Sequence, residues 1–217
     1  MCALMQEPPR VPSQLGGIIL AAGASSRMGR PKGALPIGVD GETIIARVVR
    51  VLCEAGLPRV VVVTGAHPAV ADSLDLSDGR VRVVHHPGWP DGQLSSLQCG
   101  LRVLEQEGPV QGVVMTLVDV PLVQTATVAT LIEVWTRTGA PIVRPMRGTS
   151  HGHPVLFDAA VLPELAAADP QAGAKPVVRA HEAQMANVLV EDAGAFFDVD
   201  TPDDYARALT LGAPDPV

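Results

Sequence analysis

Aromatic side chains make up only 3% of this chain although 47% of its residues are hydrophobic, so Val, Leu, Ile and Ala must fill the core. That composition is how buried parallel strands covered by helices read. Basic charge is also scarce. With 16 Lys and Arg against 23 Asp and Glu, the net charge of −7 leaves no broad basic face for nucleic acid or an anionic membrane, so small-molecule chemistry is expected. The three cysteines, Cys2, Cys53 and Cys99, are an odd number without metal-type spacing. Neither a disulfide framework nor a zinc site is expected, and Cys99 reads as a packed thiol. No apolar run approaches the roughly 20 residues of a membrane span. The start, MCALMQEPPRVPSQ, lacks a basic segment followed by an apolar one, so a cytoplasmic location is expected.

What is present is an alternation. After a tail expected to be disordered through Gln14, the run from Gly17 to Ala22 reads as a buried strand ending at Gly23. Apolar residues at helical spacing mark a helix from Thr43 to Ala55, with Gly56 placed to close it. Further strands are expected at Arg59 to Val63, Val81 to His85, Gly112 to Val118 and near Pro141 to Val143. Between them lie a short helix around His67 to Leu74, one carrying Leu94, Leu97, Leu101 and Leu104, and one carrying Val128, Leu131, Ile132 and Trp135. This predicts an α/β fold: a Rossmann-like, doubly wound, mostly parallel sheet with helices on both faces, in one domain over residues 15–217. Beyond Arg144 the rhythm loosens, leaving a strand at Met185 to Val190 and a closing helix from Pro202 to Leu209.

Ligands of such sheets sit beyond the carboxyl ends of the strands, which puts the loop AAGASSRMGRPK in the expected place. Gly23 and Gly29 let its backbone approach a ligand, while Arg27, Arg30 and Lys32 can neutralise a triphosphate. Neither G-x-G-x-x-G nor G-x-x-x-x-G-K-[ST] is present, which excludes the dinucleotide fingerprint and the P-loop. Taken alone, a Gly-rich loop with three cations is as readily an ordinary surface turn. Asp119 ends an apolar strand, where a carboxylate can serve a metal or simply a turn before Pro121. Asp198 and Asp200 alternate around Val199 on one face of an extended segment; Thr201, Pro202, Asp203 and Asp204 after them make a helix start.

Five segments in order resemble the molybdenum cofactor nucleotidyltransferase family. They are LAAGASSRMGRPK; HPGWPDGQLSSLQCGL from His86 to Leu101, similar to N-P-x-W-x-x-G-M-x-x-S-L-x-x-G-L; Asp119-Val120-Pro121; Gly152 to Phe157; and DVDTPDDY from Asp198. His86 and Gln93 depart from the family's Asn and Met.

The resemblance implies a transferase that moves CMP from CTP to the phosphate of molybdopterin and releases pyrophosphate. A molybdoenzyme would receive the product. Arg27 and Lys32 would be catalytic. Leu20, Ala21, Ala22, Gly23, Arg27, Lys32, Thr64, Gly92, Ser95 and Ser96 would bind the nucleotide, and Asp119 and Asp200 would hold Mg2+, with Asp198 a weaker candidate. An Ala-Ala-Gly loop start accompanies cytidine nucleotides in this family and Ala-Gly-Gly guanosine nucleotides, so Ala21-Ala22-Gly23 leans to CTP. A guanylyltransferase for the same cofactor, a cytidylyltransferase for a sugar or polyol phosphate, and a noncatalytic cofactor-binding maturation protein are the alternatives. His151 and His153 are left without a role.

Overall fold

The computed structural model describes residues 10–38 and 41–211. Its strands are β1 (Leu15–Ala21), β2 (Arg59–Thr64), β3 (Val81–His85), β4 (Gly112–Leu117), β5 (Ile142–Arg147), β6 (Ser150–His151), β7 (Val155–Asp158) and β8 (Ala186–Leu189). Its helices are α1 (Ile44–Glu54), α2 (Gln93–Glu107), α3 (Thr125–Thr138), α4 (Leu162–Ala167), α5 (Lys175–Ala180) and α6 (Pro202–Leu211). One sheet runs in the order β3-β2-β1-β4-β7-β5-β6, with β8 on β5.

Both faces of β1 are buried, which explains its unbroken apolar run. Leu15, Ile19 and Ala21 join one core with α1 and α3; Ile18 and Leu20 join another with α2, α4 and α5. The helix starts obey local chemistry. Thr43 caps α1 by accepting from the Ala46 amide, and Gly56 lies just past its end with φ +92°.

β1, β2, β3 and β4 pair in parallel, as do β5 and β8. The sheet departs from simple alternation at β7, which inserts antiparallel between β4 and β5. A hairpin returning from β5 through β6 supplies it, so the crossover through α3 passes over one place in the sheet. This hairpin is the reason the sequence rhythm loosens beyond Arg144. The helical stretch expected around His67 is instead a 3₁₀ turn over Pro68–Ser73.

The tail expected through Gln14 ends sooner. Pro12–Gln14 form a 3₁₀ turn, and Arg10 Nε pairs with Asp158 Oδ2 at 3.0 Å, beside the Trp135 indole that donates to the same oxygen at 2.8 Å. Residues 1–9, including Cys2, lie outside the described residues. Cys99 is buried and Cys53 half-buried, both as free thiols. Among the described residues no helix is long and apolar enough to cross a membrane.

Candidate active site

The registers Ala21↔Thr64 and Leu20↔Leu117 bring the carboxyl ends of β1, β2 and β4 level, so three loops leave the sheet together. Between them opens a cleft of about 430 Å³. The loop after β1 is held by its own backbone. Ser25, at φ +51°, accepts the Met28 amide on its carbonyl at 3.0 Å and the Lys32 amide on its hydroxyl at 3.2 Å. Gly29 turns at φ +68°, a conformation suited to glycine. The His67 ring donates to the Ala24 carbonyl at 3.0 Å, fixing the loop from the β2 side.

Lys32 is the centre of charge. Its Nζ donates to Asp119 Oδ2 at 3.2 Å and to Asp200 Oδ1 at 2.8 Å, and Arg27 reaches Asp200 Oδ2 at 2.9 Å. The Lys32 side chain is only 12% exposed, which strengthens its contacts, whereas Arg27 at 69% is largely solvated. Asp119 and Asp200 come together because the Val199 amide donates to the Asp119 carbonyl at 2.7 Å. Val199 itself is fully buried. A reciprocal cap then anchors the start of α6: Asp204 Oδ2 accepts from the Thr201 amide at 3.0 Å, and the Asp204 amide donates to Thr201 Oγ1 at 3.2 Å. The Lys32 hydrogen bond holds the Asp200 carboxyl below its usual range. Desolvation, and then the charges of Asp119 and Asp200, push Asp198 up.

Leu20, Ala21, Ala22, Gly23, Arg27, Lys32, Gly92, Ser96, Asp119 and Asp200 all line the cleft. Thr64 and Ser95 do not. The Thr64 hydroxyl is buried and donates to the Val84 carbonyl at 3.3 Å. Ser95 is also buried, its hydroxyl 2.7 Å from the Gly92 carbonyl and 3.0 Å from His86 Nε2, so it ties the start of α2 to the preceding turn. Arg30 also falls away: its guanidinium lies 5.8 Å from the centroid of the Tyr205 ring on α6, outside the cleft lining. Residues that sequence reasoning does not single out line the cleft instead, among them Ser25, His67, Trp89 and Gln93. Trp89 and Gln93 sit inside a family-like segment without a role of their own, and nothing in spacing marks His67.

Among the described residues no group of three His, Cys, Asp or Glu side chains is arranged to hold a metal alone. Asp119 and Asp200 nevertheless suit a hard cation whose other ligands are phosphate oxygens. Asp119 Oδ1 is buried without a hydrogen-bond partner, and a buried carboxylate oxygen is costly to leave so.

The model describing the MobA-like NTP transferase domain matches residues 17–185. A probable molybdenum cofactor guanylyltransferase of Mycobacterium avium is 33% identical over 138 residues, 64% of this chain and 66% of that protein, so the match spans just under two thirds of that relative. The molybdenum cofactor cytidylyltransferase of Escherichia coli is 27% identical over 90% of this chain and 96% of its own. The nicotine blue oxidoreductase of Paenarthrobacter nicotinovorans is 30% identical over 202 residues, 89% of this chain and 95% of its own. Among solved structures, that of Rv0371C from Mycobacterium tuberculosis H37Rv in complex with manganese is similar at a TM-score of 0.71 and 29% identity, covering 91% of this chain and 99% of that one.

Proposed function

The chain belongs to the MobA-like NTP transferase family, and from that premise we propose that it transfers CMP from CTP to the phosphate of molybdopterin. The observation that carries this is Lys32 held between Asp119 and Asp200 at the foot of a glycine-rich loop. An acceptor phosphate oxygen attacks the α-phosphorus of the nucleotide, a new P–O bond forms, and the bond to the β-phosphate bridge breaks to release pyrophosphate. Lys32 and Arg27 neutralise the triphosphate, and the loop backbone packs against it. Asp119 and Asp200 would hold Mg2+, which supplies charge neutralisation on the phosphate oxygens. The similar M. tuberculosis structure was solved in complex with manganese, a divalent cation of the kind this reading calls for. The side chains act by position and charge, with no covalent enzyme intermediate.

The preference for CTP rests on Ala22. Ala22 lines the cleft beside Trp89, and both lie close over Gly65, where a Cβ would come within 2.8 Å of the Ala22 methyl and 2.7 Å of Trp89. The ground for the smaller pyrimidine is that the loop carries alanine rather than glycine at this position. Relatives carrying both guanylyl- and cytidylyltransferase names make GTP the direct competitor.

The test is to incubate the purified protein with magnesium, molybdopterin and each nucleoside triphosphate in turn and to measure pyrophosphate release. Release with CTP is expected. Release with GTP alone would overturn the cytidine assignment. Cofactor binding without release from any nucleotide would favour a maturation protein, and redox turnover without release would favour the chemistry that the Paenarthrobacter relative is named for.

A further inference from the structure

A second cavity, of about 630 Å³, opens beside the nucleotide cleft and shares Gly92 and Gln93 with it as a common wall. Its lining has two characters. Met115, Val155 and Phe157 from the sheet, with Val178 and Met185, are apolar. Arg144, Lys175 and Arg179 are cationic and face one carboxylate, Glu182. A site with three cations to one anion runs against a chain of net charge −7.

Surface cations are usually just solvated, and the exposed Lys175 and Arg179, which make no ion pair among the described residues, match that case. Two observations separate Arg144 and its surroundings from it. Arg144 is partly buried and is held by an amide rather than an acid: its Nε donates to Asn187 Oδ1 at 2.8 Å, which orients the guanidinium, while Glu182 acts on its charge through space without forming an ion pair. Desolvation works against that charge. His153 also lines the cavity, with Nδ1 buried and without a hydrogen-bond partner among the described residues. An oriented, unpaired guanidinium matches a phosphate or carboxylate in a way a lysine does not.

We propose that this cavity seats the acceptor as an anion: a phosphate monoester whose ring body rests on Met115, Val155 and Phe157, and whose charge is matched by Arg144, Arg179 and Lys175. This deepens the transferase reading and rests on it for the identity of the acceptor. The shared wall at Gly92 and Gln93 gives such an acceptor a direct route to the nucleotide.

The experiment titrates the protein calorimetrically with a pterin bearing a phosphate monoester and with the same pterin lacking it, and separately with CTP and magnesium. The wild type is expected to bind the phosphorylated probe at least about tenfold more tightly than the other, the scale of one charge-assisted contact. Arg144→Gln should remove about tenfold of that difference, and Arg179→Gln on the exposed face of α5 should reduce it in the same direction, with CTP affinity unchanged in both. Equal binding of the two probes by the wild type, or full discrimination in both variants, would overturn the assignment. The transferase reading fails separately: discrimination between the probes without pyrophosphate release from any nucleotide would leave an anion site and remove the reaction.

Discussion

Replacing Lys32 by Met removes the cation that links the two carboxylates of the cleft while keeping most of the apolar stem. Lys32 Nζ makes two charge-assisted hydrogen bonds, at 3.2 and 2.8 Å, and the side chains of Lys32, Asp119 and Asp200 are 12%, 25% and 30% exposed. Such bonds contribute about 1.5–3 kcal/mol each when sheltered, and partial exposure reduces the pair to about 2 kcal/mol together. For a domain of this size about 1 kcal/mol corresponds to about 2–4 °C, so the variant should melt about 4–8 °C lower in EDTA at neutral pH. Magnesium should then stabilise the variant more than the wild type, because Asp119 and Asp200 face each other without a cation between them. Differential scanning fluorimetry with and without magnesium reads both effects. A variant that melts within about 1 °C of wild type in EDTA and shows no larger response to magnesium would refute the role given to Lys32.

Asp119→Asn should lower kcat by at least about a thousandfold with an unchanged circular dichroism spectrum, because the backbone carbonyl that accepts from Val199 is untouched. Ala22→Gly should shift the ratio of kcat/KM for CTP over GTP by about tenfold toward GTP, the scale set by a methyl group in a packed pocket; an unchanged ratio would place base selection elsewhere. His86, hydrogen-bonded with Ser95, has its pKa lowered by burial. Its unfolded form takes a proton below about pH 6.5 while the folded form resists, so this residue makes stability fall as pH drops from about 6.5 toward its lower folded value. His86→Asn should therefore lose less of its urea midpoint between pH 7.5 and pH 5.5 than wild type does, and equal losses would contradict the assignment.

The framework was legible where packing imposes a period. β3 runs from Val81 to His85 as expected, and α2 buries Leu94, Leu97, Leu101 and Leu104 together. β7 was not, because four residues after Gly, His and Pro carry too few alternations to register, and its place is decided by distant pairing with β4 and β5. The cleft shows the same division. Residues on the loop after β1 and at the strand ends converge because the parallel register brings them level. The misses concern side chains with a choice of partner: Thr64 and Ser95 turn to backbone carbonyls, and Arg30 to the Tyr205 ring on the distant α6. Spacing along the chain does not encode which partner such groups take.

The most direct test of the proposed reaction tracks the transferred atom. With CTP labelled at its α-phosphorus, magnesium and molybdopterin, the label is predicted to appear in a cytidine-bearing molybdopterin product, and unlabelled pyrophosphate to accumulate in equal amount. Recovery of all the label in CTP, or in free CMP with none on the acceptor, would contradict the account.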